Sequence, residues 1–183
     1  MKKILSLVAG LMMVASLSFA AEASPAAEGG MYMGLGVGLD FPGYNWWPGT
    51  PAGVGGKIFG GYSFDRATAI QLDVDGAVYS YANGNSTFDL YILPEFKYTF
   101  DNPGFQPYLL AGAGLNLSFD SGNEISTSSG YLTGVAGGGL QFDLGGNTSL
   151  FVEAKFHMAF VSVAGNADVA DDYPLTAGVK FPL

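Results

Sequence analysis

Met31-Tyr32-Met33-Gly34-Leu35-Gly36-Val37-Gly38-Leu39-Asp40-Phe41 separates by parity. Its odd positions carry Met, Met, Leu, Val, Leu and Phe. Its even positions carry Tyr, three Gly and Asp. Successive side chains of a β-strand point to opposite faces, so this stretch predicts a strand with one wholly apolar face.

Seven further segments pass the same test, near Gly56–Asp65, Ala69–Tyr81, Thr87–Phe100, Gln106–Phe119, Tyr131–Leu144, Thr148–Ser162 and Pro174–Leu183. No charged residue falls on the apolar face of any segment. The opposite faces hold the charges, but they are also rich in Gly and aromatics and too poor in charge for an ordinary solvent face. A soluble barrel would carry its charges outside. The pattern instead predicts an eight-stranded antiparallel transmembrane β-barrel, apolar towards lipid and crowded and partly polar within. Pro94 falls mid-strand on the lipid face, where a bulge or local break is expected because proline donates no ladder hydrogen bond. Leu93, Leu110, Val135 and Phe151 fall on the inner face, which a narrow barrel fills with side chains.

Composition agrees. The chain has 183 residues, 49% hydrophobic and 13% charged, with 28 Gly and no Cys. The aromatic content excludes a disordered chain. The absence of Cys excludes a disulfide scaffold and a Cys-based metal site. Sixteen acidic residues against seven basic ones argue against a nucleic-acid partner. Residues 1–20 read as a cleavable signal peptide: Lys2 and Lys3, an apolar run from Ile4 to Phe19, then Ser18-Phe19-Ala20 at the cleavage site. Without a following Cys, lipoprotein processing is excluded. Residues 21–30 are expected to form a short flexible leader and residues 31–183 the barrel.

Connections alternate in length. Asp65–Thr68, the turn at Asn102-Pro103-Gly104 and the turn at Gly145–Asn147 are short. Pro42–Gly55, Asp120–Gly130 and Val163–Tyr173 are long. Short turns mark the periplasmic side of an outer-membrane barrel. Aromatic girdles are expected from Tyr62, Phe64, Tyr98, Phe100, Phe142 and Phe181 on that side, and from Phe41, Phe88, Phe119 and Phe160 on the other.

With the signal, Pro107-Tyr108-Leu109-Leu110-Ala111-Gly112-Ala113-Gly114, Phe151-Val152-Glu153-Ala154-Lys155-Phe156-His157 and the end Pro174–Leu183, the chain resembles the small outer-membrane β-barrel domain family. These are the OmpA/OmpX-like eight-stranded barrels of Gram-negative bacteria. The resemblance implies residence in the outer membrane, with lipid and lipopolysaccharide around the barrel. It also implies an assembly signal at Thr176, Gly178, Phe181 and Leu183, read by the barrel-assembly machinery, although the commonest form of that signal closes on an aromatic residue. No peptidoglycan-anchoring domain is expected after Leu183, and a monomer is expected.

The inner faces carry the chemistry. Lys57, Asp73, Asp75, Glu95, Lys97, Asp143, Glu153, Lys155, His157 and Lys180 are expected to form one charge network that plugs the lumen, because buried charges must be paired. A narrow pore is the alternative. An outer-leaflet lipid-modifying enzyme is a further one. The lipid A deacylases of such barrels carry His-x-Ser on one strand, whereas this chain has His157-Met158-Ala159. No catalytic residue, cofactor or metal is expected. Trp46 and Trp47, in the longest loop, are the candidates for a surface contact.

Overall fold

The computed structural model describes residues 29–43, 51–82, 84–102, 104–121, 126–144, 148–162 and 171–183, without the side chains of residues 126–128 and 161–162. Eight strands run β1 (Gly30–Pro42), β2 (Gly53–Ser63), β3 (Thr68–Ser80), β4 (Ser86–Thr99), β5 (Gln106–Ser121), β6 (Ser126–Asp143), β7 (Ser149–Ser162) and β8 (Asp171–Pro182). Each pairs antiparallel with its neighbours in sequence, and β8 closes on β1 with Leu35 opposite Val179. Closure leaves no sheet edge, as a membrane requires, because lipid cannot satisfy an unpaired backbone group.

Parity sorts the faces throughout. Met31, Val54, Ile58, Ile70, Leu72, Phe96, Leu109, Leu115, Val152 and Leu175 are exposed on the outside. Tyr32, Phe59, Leu93, Leu110, Val135 and Phe151 are buried inside. A belt this apolar is far larger than the few hundred Å² that soluble proteins leave exposed, so it needs lipid. Aromatic pairs stand at both ends. Tyr62–Phe64 and Tyr98–Phe100 meet edge to face at 5.5 and 5.0 Å, and Phe105 joins Phe142 at the short-turn end. At the long-loop end, Phe88 and Phe119 stack at 6.2 Å.

Pro94 produces a gap rather than a bulge. The β4–β5 ladder lapses at Leu93 and Pro94 and resumes in the same register, from Ile92↔Leu115 to Glu95↔Gly112, while the β3 side pairs without interruption. The facing glycines let the backbones stay close. A Cβ on Gly112 or Gly114 would fall 2.1 or 2.0 Å from the carbonyl oxygens of Pro94 and Ile92. The bulge occurs on β7. Leu132 pairs with Val161 and Thr133 with Ala159, so Phe160 is the extra residue.

Two loops are shorter than their composition suggests. β5 continues to Ser121 and β6 begins at Ser126, and β8 begins at Asp171. These strand ends are polar, so they lack the apolar alternation that marks a strand within the membrane. The β5 and β6 strands, with 16 and 18 residues, are the longest, whereas β2 has 11. Among the described residues, the strands therefore end at unequal heights at the long-loop end. Tyr81, which parity places inside, is exposed because β3 ends at Ser80.

The β2–β3 turn is closed by Asp65. Its Oδ1 accepts the amides of Ala67 and Thr68, both at 2.7 Å, and its Oδ2 accepts the Thr68 hydroxyl at 2.9 Å. The bonds from Thr68, then from Ala67, hold this carboxyl below the usual carboxylate range. The folded state thus favours the ionised form, and the contribution is present at neutral pH and lost as pH falls through the lowered value. Asp65→Ala is expected to lower the urea midpoint of the barrel modestly at pH 7. The difference from wild type should vanish in strong acid. A difference independent of pH would show that the carboxylate is not what holds the turn.

Candidate functional site: a charged lumen

Eight strands leave a lumen just wide enough to be filled by its own side chains. Its middle is ionic. Lys155 on β7 donates to Asp73 Oδ2 at 2.5 Å, Glu95 Oε1 at 2.6 Å and Asp75 Oδ2 at 3.2 Å. Lys57 on β2 donates to Asp73 Oδ2 at 2.6 Å and Glu153 Oε1 at 2.5 Å. Neutral donors complete the carboxylates. Gln71 Nε2 reaches Asp73 and Glu95, each at 2.9 Å, and Tyr108 donates to Glu153 at 2.8 Å. Tyr32 donates to Gln71 Oε1 at 3.1 Å. Asp73 is fully buried and both lysines nearly so. The contacts span β2, β3, β4 and β7, so they tie opposite walls of the barrel together.

Aromatic and aliphatic side chains pack around this cluster. Phe59 and Phe151 meet at 5.4 Å beside the Lys57 ammonium, which lies 4.9 Å from the Phe59 ring. Room for the Phe59 ring comes from Gly34, where a Cβ would fall 2.2 Å from its Cζ. Leu93, Leu110 and Val135 pack with Tyr91 and Tyr108 on the other side.

Towards the long loops lies an acidic tier. His157 Nδ1 is 2.9 Å from Asp172 Oδ1, the Tyr91 hydroxyl donates to Asp172 Oδ2 at 2.5 Å, and the Tyr91 and His157 rings are 4.4 Å apart. Asp40 is buried in the same end of the lumen. A cavity of about 20 Å³ separates this tier from the cluster, lined by Asp40, Lys57, Asp75, Tyr91 and His157. Among the described residues, no group of three His, Cys, Asp or Glu is placed to hold a metal ion.

The structure therefore divides the expected single network. Lys57, Asp73, Asp75, Glu95, Glu153 and Lys155 are joined by ion pairs. His157 pairs with Asp172, outside that cluster. Lys97, Lys180 and Asp143 stand apart. Lys97 lies 3.6 Å over the Tyr108 ring, and Lys180 donates to Gln141 Oε1 at 3.3 Å and lies 4.4 Å over Tyr32. Asp143 is exposed at the end of β6 and accepts from Ser149 at 2.8 Å. The reason is geometric: Lys97 and Lys180 sit at the short-turn end, a tier below the carboxylates. Asp172, Asp40 and Gln71 are lumen residues that the sequence reading does not single out, although each shares the inward parity of its strand. Trp46 and Trp47 lie outside the described residues.

Residues 7–181 match the profile of the family described as outer membrane protein beta-barrel domain. The chain belongs to that family. As a member of the outer-membrane β-barrel family it also resembles solved barrels. Neisserial surface protein A superposes with a TM-score of 0.69 at 15% identity, covering 87% of this chain and 100% of that one. Ail, the attachment invasion locus protein of Yersinia pestis, gives 0.52 at 17% identity, covering 86% and 100%. The N-terminal barrel domain of Pseudomonas aeruginosa OprF gives 0.51 at 16% identity, covering 84% and 100%. No curated protein sequence matches the chain. Identities this low show the shared barrel fold alone, and membership of the family places this barrel in the Gram-negative outer membrane.

Proposed function

We propose that the protein is a plugged, non-enzymatic barrel of the outer membrane with a structural or surface-interaction role. The observation that carries this reading is the ionic cluster bridging opposite walls at mid-lumen, with Asp73 and Leu93 wholly buried. Side chains packed in this way support a lumen closed to a continuous water path. Residues 1–20 act as the export signal and residues 21–30 as a leader. The short turns face the periplasm and the long loops face outward. The apolar belt contacts lipid and lipopolysaccharide, and Thr176, Gly178, Phe181 and Leu183 guide the assembly machinery. The surface role draws support from the two barrels of similar fold named as a surface protein and an attachment protein. Against the enzyme reading stands His157, which points into the lumen beside Asp172 with Ala159 two residues on, away from any lipid substrate.

The purified barrel in a planar bilayer is expected to show no conductance steps, and to migrate differently in gels before and after boiling. Regular single-channel steps would overturn the plugged reading. Recovery in the soluble periplasmic fraction would overturn the membrane one.

A further inference from the structure

Lys97 and Lys180 are the two lumen cations without a carboxylate within ion-pair distance among the described residues. Lys97 is 5% exposed, and its ammonium meets the Tyr108 ring rather than a hydrogen-bond acceptor. Lys180 has one amide oxygen and the Tyr32 ring. Both line a cavity of about 40 Å³ at the short-turn end, together with Arg66, Gln106, Gln141 and Thr99. The volume holds about three waters, the size of a small polyatomic ion.

The groups that line this space include several donors. Asp65 also lines it, but its oxygens accept from the amides and hydroxyl of its own turn. Gln141 donates to Gln106 Oε1 at 3.2 Å, which leaves the Gln106 NH₂ as a further donor. Buried ammonium groups without an acceptor are costly. We propose that the short-turn end of the lumen is a binding site for a small free oxyanion of the phosphate class, held by Lys97, Lys180 and Arg66, with the Gln106 amide as a further donor. In the proposed orientation access is from the periplasm, and the site itself does not depend on orientation.

The competing account is that Lys97 and Lys180 only balance the four carboxylates of the central cluster from a distance. Titration of inorganic phosphate into the purified barrel in uncharged maltoside micelles, followed by calorimetry and by the urea midpoint, separates the two. Saturable one-to-one binding is expected. Sulfate should compete, and chloride at equal ionic strength should not. Lys97→Met and Lys180→Met should each weaken binding at least 10-fold while keeping a phosphate-free urea midpoint no lower than wild type. Arg66→Gln, on an exposed turn that tolerates change, should weaken binding several-fold and keeps the test usable if a lumen variant fails to fold. A wild-type midpoint that phosphate does not move, or moves no more than chloride does, would overturn the site. So would lysine variants that lose stability without phosphate, which is the result long-range balance predicts.

Discussion

Lys155→Met is expected to destabilise the barrel by about 3–5 kcal/mol, the usual cost of stranding buried charge, or to prevent its assembly. Among the described residues, Lys155 is the only cation within 4 Å of Asp73, Asp75, Glu95 and Glu153 together. Its removal leaves four carboxylates facing Lys57 alone. Urea unfolding from lipid vesicles reads the loss. Because the penalty comes from unpaired charge, a second neutralisation should recover part of it: Lys155→Met with Glu95→Gln should be more stable than Lys155→Met alone. The same logic couples Glu153 to Lys57, which touch at 2.5 Å, so Glu153→Gln with Lys57→Met should be non-additive. Glu153→Gln with Lys180→Met should be additive, because Lys180 lies a tier away against Gln141. Additive losses in the Glu153–Lys57 pair would mean that the central charges are independently solvated.

Ala113→Arg carries the second large effect. Ala113 is exposed on β5, midway along the apolar row from Leu109 to Leu117, opposite Gly134 of β6. A charge at the mid-depth of the lipid face of such a barrel costs roughly 2–4 kcal/mol. Asn116→Arg, three residues on, enters the lumen instead. Asn116 is 3% exposed, its side-chain oxygen has no hydrogen-bond partner, and Asp40 and Asp89, each with one oxygen likewise unpaired, carry carboxylates on the lumen face. An arginine there gains carboxylates, so Asn116→Arg should assemble better than Ala113→Arg. Folded yield in vesicles and heat-modifiable migration decide it. Equal tolerance at both positions would mean that the two faces of β5 are not lipid and lumen.

The lipid face was legible in the sequence because lipid tolerates no charge there, and that rule writes itself into every second residue of each strand. The lumen was legible only as a list of residues. Parity places Lys57, Glu95 and Lys155 inside, but which of them touch depends on register and on the stagger between strands. Lys155 reaches Asp73 and Glu95 across the lumen, from strands not adjacent to its own. Lys97, two residues from Glu95 on the same strand, reaches no carboxylate. Asp172 is not legible as a lumen residue because β8 starts before its apolar alternation does. Its pairing opposite His157 is a matter of register, which no property of the residue itself reveals. Pro94 was legible as a fault in the ladder. That the fault is a gap depends on Gly112 and Gly114 across from it.

The unequal strand lengths give the barrel a mechanical bias. About 9–11 tilted residues cross the hydrocarbon, so a strand of 16 or 18 carries roughly six beyond what the bilayer needs. At about 3.3 Å per residue and a tilt near 45°, the β5–β6 hairpin stands on the order of 14 Å proud of the membrane. It is hydrogen-bonded up to Ser121 opposite Ser126, so it rises as a stiff mast rather than a slack tether. On the opposite flank, β2 ends almost level with the bilayer. Among the described residues this hairpin is the longest part of the rim, and a load on its tip would pass down the continuous β5–β6 ladder into the wall that holds Tyr108.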